Sequence, residues 1–353
     1  MAVSRARADA IVVRSASADV SGTVGRHDAT LTVTMSGAGD ADNAAATVDV
    51  TARLSGGWSG DATSGIWSGN IVALDSRGAY RLALAEPARL DAGAARVHLA
   101  NARGTLEGGK FAIEELKWEE GRLSSRGDFS HLPAAPLIAF SAADAKVSST
   151  LTLSGRWAFA AMPRLTGSLS VSRDDGDLAP TDAPGLALGL TRLDLVAAST
   201  DDRVHATLTA RARLGDADVE ADVGASEQGA GRFDASAPVS LKAHVDTASL
   251  RALQSLTRTN AVLDGRLTLD VTGRGTLARV QISGNVDADA ITIEAPQYGV
   301  YLKDGRLRAH LSDDNVTLSE LSFKAGDGRF LASGTMPSVM SSNAAAGTVT
   351  WSA

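Results

Sequence analysis

Residues 263–286, LDGRLTLDVTGRGTLARVQISGNV, decide the fold class of this chain. Leu267, Leu269 and Val271 alternate here with Thr and Asp, so that three apolar side chains fall on one face of an extended strand. A second run with the same period of two begins at Ile282. The stretch therefore predicts neighbouring β-strands with one apolar face and one polar face.

Similar runs continue through the C-terminal third of the chain. Turn signals lie between them, at Asp264-Gly265, Asp304-Gly305, Asp313-Asp314-Asn315 and Asp327-Gly328. Such pairs supply the positive φ angles of tight hairpins, so they predict an antiparallel meander. The aliphatic and aromatic positions that we expect to line one continuous concave surface, a hydrophobic groove, are Leu267, Leu269, Val271, Ile282, Val286, Ile291, Ile293, Val300, Leu302, Val316, Leu318 and Phe323.

The composition agrees with many short strands. The 353 residues are 44% hydrophobic but only 4% aromatic, and 35 glycines separate the alternating runs. Residues 248–257 are the one segment that predicts a helix, because Leu250, Leu253 and Leu256 follow a possible cap at Asp246 or Thr247.

Internal repetition indicates how the chain is organised. Leu151–Arg156 (LTLSGR) matches Leu269–Arg274 (LDVTGR) at a separation of 118 residues, and the matches continue on both sides. A repeat of this length is too long for one turn of a short-repeat solenoid, so each copy is a group of several strands. We predict three units: a less regular one at 1–127, and two regular ones at 128–245 and 246–353.

Charge and composition exclude several classes of function. The net charge is −7, and no Lys/Arg cluster is backed by aromatic residues, so we expect no nucleic-acid partner. Cys is absent, which excludes disulfides and a Cys nucleophile. No stretch has the roughly 18–20 apolar residues that cross a bilayer. Because the N-terminus also lacks the apolar core of a secretory signal, we expect either a cytosolic protein or an internal piece of a larger one.

Catalytic and metal-binding motifs are not found in the sequence. The six His residues have no metal-ligand spacing to one another or to a carboxylate cluster, and we predict no metal and no cofactor. Gly273–Ala278 (GRGTLA) resembles a dinucleotide-binding pattern, but strand residues follow it, so a glycine-rich turn is the better interpretation. Adjacent carboxylates such as Glu114 and Glu115 point to opposite faces of a strand and cannot share a site. We therefore predict that the chain is not an enzyme.

Four of the five tryptophans flank glycine-rich strand ends in the first half of the chain. They are Trp58, Trp67, Trp118 and Trp157. Local packing against the sheet rim is the favoured role, and contact with a ligand is the alternative.

An ordered succession of segments resembles the TamB family, the translocation and assembly module subunits with AsmA-like repeating β-grooves. It comprises Trp67–Leu74, Arg81–Ala88, the Trp118 segment, Leu123–Leu137, Leu263–Leu267, Gly273–Leu277, Ile282–Gly284 and Gly326–Gly334. The membrane anchor and the C-terminal domain of that family are not seen here. The resemblance thus predicts an internal fragment with an all-β, elongated, repeat-built β-groove (β-taco-like), mostly of antiparallel short strands, with one or two short helical elements.

The resemblance also implies a function. The full-length protein would be periplasmic and anchored to the inner membrane, and would associate with an outer-membrane barrel of the TamA type through regions missing here. It would support phospholipid transport between the membranes and the assembly or secretion of outer-membrane proteins. Its partners would be phospholipid acyl chains and nascent outer-membrane proteins.

Two other classes of function remain for comparison. An enzyme on a parallel β-helix would need converging carboxylates or His residues, which the sequence does not offer. A surface-exposed or secreted β-solenoid, of the adhesin or passenger type, would have a closed and well-packed core. An open apolar face would favour the groove over this alternative.

Overall fold

The computed structural model describes residues 2–3, 6–8, 11–37, 47–61, 64–141, 146–162, 164–181, 187–226, 234–251, 262–312, 315–337 and 348–352. Most of these residues lie in β-strands, and their strand pairings are antiparallel. The prediction of an all-β antiparallel fold is confirmed. Within these ranges no helix is both long enough and apolar enough to cross a membrane.

The chain divides into two compact units. Unit 1 comprises Met1–Ala143 and Leu151–Asp175, and unit 2 comprises Asp144–Thr150 and Gly176–Ala353. These units are defined by contacts, whereas the three predicted units are sequence repeats, so the three-part division stays a prediction.

Unit 1 is an antiparallel sheet in which most strands pair with their neighbours along the chain. β7 and β8 divide one strand position between them, since both pair with β6 and with β9. The elements are β1 (Ala2–Val3), β2 (Ala6–Ala8), β3 (Ile11–Thr23), β4 (Arg26–Gly37), β5 (Thr47–Ser59), β6 (Ile66–Gly78), β7 (Leu82–Leu84), β8 (Ala88–Gly93), β9 (Arg96–Leu106), β10 (Gly109–Glu119), β11 (Arg122–Pro133), α1 (Ala134–Ser141), β13 (Thr152–Ala161) and β14 (Thr166–Asp175).

Unit 2 contains a small two-stranded sheet and a meander of ten strands, β16 to β25. The small sheet pairs β12 (Val147–Ser149) with β15 (Leu178–Pro180). The meander strands are β16 (Leu190–Thr200), β17 (Arg203–Ala212), β18 (Gly215–Gly224), β19 (Pro238–Thr247), β20 (Val262–Thr276), β21 (Arg279–Ala295), β22 (Val300–Leu311), β23 (Asn315–Ala325), β24 (Gly328–Pro337) and β25 (Thr348–Ser352).

Two of the four predicted turns are wrong. Asp264-Gly265 lies inside β20, and Asp304-Gly305 lies inside β22. The strand register shifts at both places, so the positive φ angles of Gly265 (140°) and Asp304 (50°) belong to β-bulges. At Asp327-Gly328 the β23–β24 turn is formed by residues 326–327. Residues 313–314 lie outside the described part of the chain.

The bulges keep the apolar side chains on one face. In β21 the apolar positions are even up to Ala288 and odd from Ile291 onward, and between them Ala290 has a φ of 53°. The extra residue therefore changes the parity of the pattern without turning the strand over. For this reason β21 continues through the bulge as one strand of 17 residues.

One helix lies at a place that the helical spacing did not indicate. α1 follows β11 directly, and the Ala134 backbone N–H donates a 2.9 Å hydrogen bond to the Leu151 carbonyl. The helix predicted at 248–257 falls largely outside the described residues, because only 248–251 are placed, with a 3-10 turn at 250–251.

Candidate functional site

The candidate site is the apolar face of unit 2, defined as the side of the β16–β25 sheet on which directly paired apolar residues form rows across the strands. Paired residues of an antiparallel sheet point to the same side, so the register identifies the face. One row crosses all ten strands: Leu193, Ala210, Ala217, Val245, Leu269, Val286, Ala309, Leu318, Gly334 and Val349. With roughly 4.8 Å between strands, this row is about 43 Å long.

A second row runs beside the first. It comprises Leu195, Leu208, Val219, Ala243, Val271, Gly284, Leu311, Val316 and Met336. The register places all twelve predicted groove residues on this face. They lie on β20 to β23, and the sequence analysis did not identify the parts of the face that β16 to β19, β24 and β25 contribute.

Burial differs along the apolar face. Ala288, Ile291 and Phe323 are at most 5% exposed and form a buried cluster. Leu263, Leu267, Ile293, Leu302, Leu307, Leu321 and Phe330 pack against it. Away from this cluster, residues such as Leu269, Ile282 and Val316 are only half-buried. The cluster is therefore a local core, and much of the face is open.

The apolar face carries no charged side chain at any position that the described strand register assigns to it. Charged residues of β16 to β25 pair on the other side, the outer face, as with Asp218 opposite His244 and Asp287 opposite Arg308. Apolar and charged side chains are separated in this way because they alternate along each strand with a period of two, which only the bulges interrupt. Such a surface can bind apolar groups but has no charged group to orient them.

Unit 1 has an apolar face of its own, which is richer in tryptophan. Trp58, Trp67 and Trp118 belong to one row, together with Ala92, Val97, Leu123 and Ala161. Trp67 Nε1 donates a 2.9 Å hydrogen bond to His27 Nε2. Trp67 is therefore held by a contact within unit 1, whereas Trp118 is exposed. Local packing stays a prediction for the set as a whole.

Aromatic rings repeatedly lie over glycines of a neighbouring strand. A Cβ on Gly127 would stand 2.6 Å from the Trp157 ring, and one on Gly155 would stand 2.7 Å from the Phe129 ring. The same arrangement joins Phe111 to Gly104 and Phe323 to Gly305. Only glycine leaves room for the ring against the sheet, so these glycines are required in mid-strand rather than in turns.

Side chains of neighbouring strands form ion pairs on the outer face of unit 2. Arg211 donates hydrogen bonds of 3.0 Å to both carboxylate oxygens of Asp218, which lowers the pKa of Asp218 and raises that of Arg211. His244 Nδ1 lies 2.7 Å from Asp270 Oδ1, and this hydrogen bond raises the pKa of His244. All of these groups are well exposed, so they contribute little energy individually.

One expectation about paired carboxylates is wrong. Glu114 and Glu115 both reach Arg126, at 3.1 Å and 3.9 Å. The register shifts between Ile113 and Glu115, and this bulge brings the two adjacent side chains to the same side. A hydrogen bond from Lys117 lowers the pKa of Glu115, so the group is a surface ion-pair network.

The outer face also brings together three potential metal ligands that the linear spacing of the sequence does not indicate. His205 lies directly opposite Asp222, and Glu220 lies two residues away on the same face. Linear distance could not reveal this group, because strand pairing joins residues that are far apart in the chain.

Comparison of this chain with family models, with curated proteins and with solved structures finds no match.

Proposed function

We propose that the apolar face of unit 2 binds the acyl chains of phospholipids, and that the chain is a segment of a TamB-like protein that supports phospholipid transport between the inner and outer membranes. The observation that carries this proposal is the ten-strand row of apolar residues on a face without charged side chains. The resemblance to the TamB family adds the periplasmic setting, the inner-membrane anchor and the TamA-type barrel partner.

A hydrocarbon chain suits such a face for a simple reason. It contains no hydrogen-bonding groups, so it leaves no polar group of its own unsatisfied when it lies on a largely apolar surface. Each methylene removed from water contributes about 0.8 kcal/mol, and several half-buried rows can contact one chain along its length. The proposal needs no catalytic step and no cofactor.

A nascent outer-membrane protein is the other cargo that the resemblance implies. A peptide laid on the apolar face would leave its backbone N–H and C=O groups without partners, at a cost of several kcal/mol. Lipid is therefore the favoured cargo. Support for outer-membrane protein assembly then follows indirectly, through the supply of lipid to the outer membrane.

The test uses two neighbouring residues on opposite faces. Ile282 points to the apolar face, whereas Gln281 points outward and is paired with Arg274. Ile282→Asp puts a carboxylate where the acyl chain lies, while Gln281→Asp puts the same group opposite a cation. We expect phospholipid bound per protein, measured by mass spectrometry after incubation with vesicles, to fall several-fold for Ile282→Asp only.

A photo-crosslinking amino acid at position 269 gives a second readout in cells. We expect adducts that contain phospholipid. Adducts with protein alone, together with equal loss of lipid binding in both Asp variants, would contradict the proposal and favour the protein cargo. Thermal unfolding of both variants checks that the comparison is made between folded proteins.

A further inference from the structure

Three metal-ligating side chains lie together on the outer face of unit 2, on the opposite side of the sheet from the apolar face. His205 on β17 is directly opposite Asp222 on β18, and Glu220 precedes Asp222 by two residues. One ligand atom from each of the three lies within 4.8 Å of the other two. All three stand on paired strands, so the backbone register fixes their spacing.

The imidazole of His205 lies between the two carboxylates. Its Nδ1 is 3.0 Å from Asp222 Oδ1, and its Nε2 is 3.9 Å from Glu220 Oε1. The side chains of His205, Glu220 and Asp222 are 47%, 49% and 40% exposed, so an ion in solution can reach them. Lys242 Nζ is 4.0 Å from the other oxygen of Glu220, Oε2, which leaves Oε1 directed at the ring.

We propose that His205, Glu220 and Asp222 bind a divalent transition-metal ion, for which Zn²⁺ is the appropriate probe. Two carboxylates supply two negative charges, and a neutral imidazole supplies the nitrogen ligand that favours Zn²⁺ over Mg²⁺ or Ca²⁺. Three protein ligands leave one tetrahedral position for water. The site does not depend on acyl-chain binding, because it lies on the other face.

Metal binding here has a structural consequence. The ion would join β17 to β18 through side chains, and the three ligands have this spacing only when the strands are paired. Binding to the folded chain alone stabilises it by mass action. Zn²⁺ therefore raises the unfolding temperature of the full chain.

His310 provides a matched control for His205. It also lies on the outer face, but its Nδ1 is 2.9 Å from the amide oxygen of Asn285 and not from a carboxylate. Titration calorimetry of Zn²⁺ into the full chain should show saturable binding, which His205→Ala weakens by about tenfold or more and His310→Ala leaves unchanged. Equal binding by wild type and His205→Ala, or no saturable binding by wild type, would overturn the proposal.

A spectroscopic measurement tests the ligand set itself. With Cu²⁺ in place of Zn²⁺, electron paramagnetic resonance should show coupling to one imidazole nitrogen, and His205→Ala should remove it. If His205→Ala does not fold, Asp222→Asn and Glu220→Gln, which keep the side-chain shape, replace it in the titration, where each should weaken Zn²⁺ binding. Retention of the nitrogen coupling in His205→Ala would assign the metal to another histidine and refute the site.

Discussion

The six-membered ring of Trp157 occupies the space in which Gly127 would carry a Cβ. The two residues are directly paired across β11 and β13, and Trp157 Nε1 donates a 2.9 Å hydrogen bond to Ser125 Oγ. A Cβ at Gly127 would stand 2.6 Å from Trp157 Cζ2 and 2.3 Å from the Ala112 carbonyl oxygen. The sheet therefore tolerates the ring only because residue 127 is glycine.

Gly127→Ala should destabilise the chain by about 1–3 kcal/mol, since the ring and the backbone must both move. Urea unfolding measures the loss, and near-ultraviolet circular dichroism reports the displaced indole. Gly25→Ala is the control, because a Cβ there would meet nothing within 4 Å. Equal stability of the two variants would show that the ring does not depend on the glycine.

Phe323→Ala should be the more damaging of two truncations on neighbouring strands. Phe323 is 5% exposed in the buried cluster, so its loss should cost about 3–5 kcal/mol. Leu331 lies on β24, points to the outer face and is 43% exposed, and Leu331→Ala should stay within about 0.5 kcal/mol of wild type. Denaturant titration measures the free energy of unfolding of both variants. A similar loss of stability in each would mean that the cluster is not a core.

Ala290→Gly should leave stability unchanged or raise it by up to about 1 kcal/mol. A left-handed backbone costs a non-glycine residue about 1–2 kcal/mol, and the greater freedom of glycine in the unfolded chain offsets part of that gain. Ala290 has a φ of 53°, whereas Ala288 lies in the buried cluster. Ala288→Gly should therefore be destabilising, and a comparable loss in Ala290→Gly would argue against the bulge.

Stability should depend on pH through His244. Three carboxylates face the His244 ring: Asp270 on β20, Asp246 on β19 (the strand of His244 itself) and Asp218 on β18. Arg211 pairs with Asp218. These carboxylates raise the pKa of His244 in the folded chain. The contribution of His244 to the free energy of unfolding is therefore fully present below the pKa of His in the unfolded chain, about 6.5. It is lost as pH rises through the higher pKa of His244 in the folded chain.

The matching experiment compares His244→Gln with wild type at pH 5.5 and pH 8.5. Because the pair is exposed, the variant should lose about 0.2–1 kcal/mol at the lower pH and less at the higher pH. His310→Gln is the control, since its partner is the neutral Asn285. A deficit that grows with pH would have the wrong sign for this mechanism.

The sequence predicted the faces of the strands better than their ends. Period-two alternation identifies which side chains of a strand lie together, so the twelve predicted residues fall on one face. Asp264-Gly265 and Asp304-Gly305 were predicted as turns because tight hairpins need positive φ, which these two bulges also contain. Only the partner strand, through its register, distinguishes the two.

Contacts across strands could not be predicted from spacing along the chain. His205 and Asp222 are 17 residues apart and Trp157 and Ser125 are 32 apart, yet each pair is in hydrogen-bonding contact. The requirement for glycine under Phe129 or Trp157 has the same origin. A mid-strand glycine close in register to an aromatic residue is the signal that would find such pairs once strand pairing is known.

The rows of unit 2 also determine how the sheet can change in length. If the hairpin β17–β18 were removed, β16 and β19 would still run antiparallel and could pair directly. Leu193 would then lie opposite Val245, and every remaining row would stay in register. Removing a single strand would reverse the direction of all later strands. Insertions and deletions that preserve the apolar face are thus confined to whole hairpins, each of which alters the span by roughly 9.6 Å.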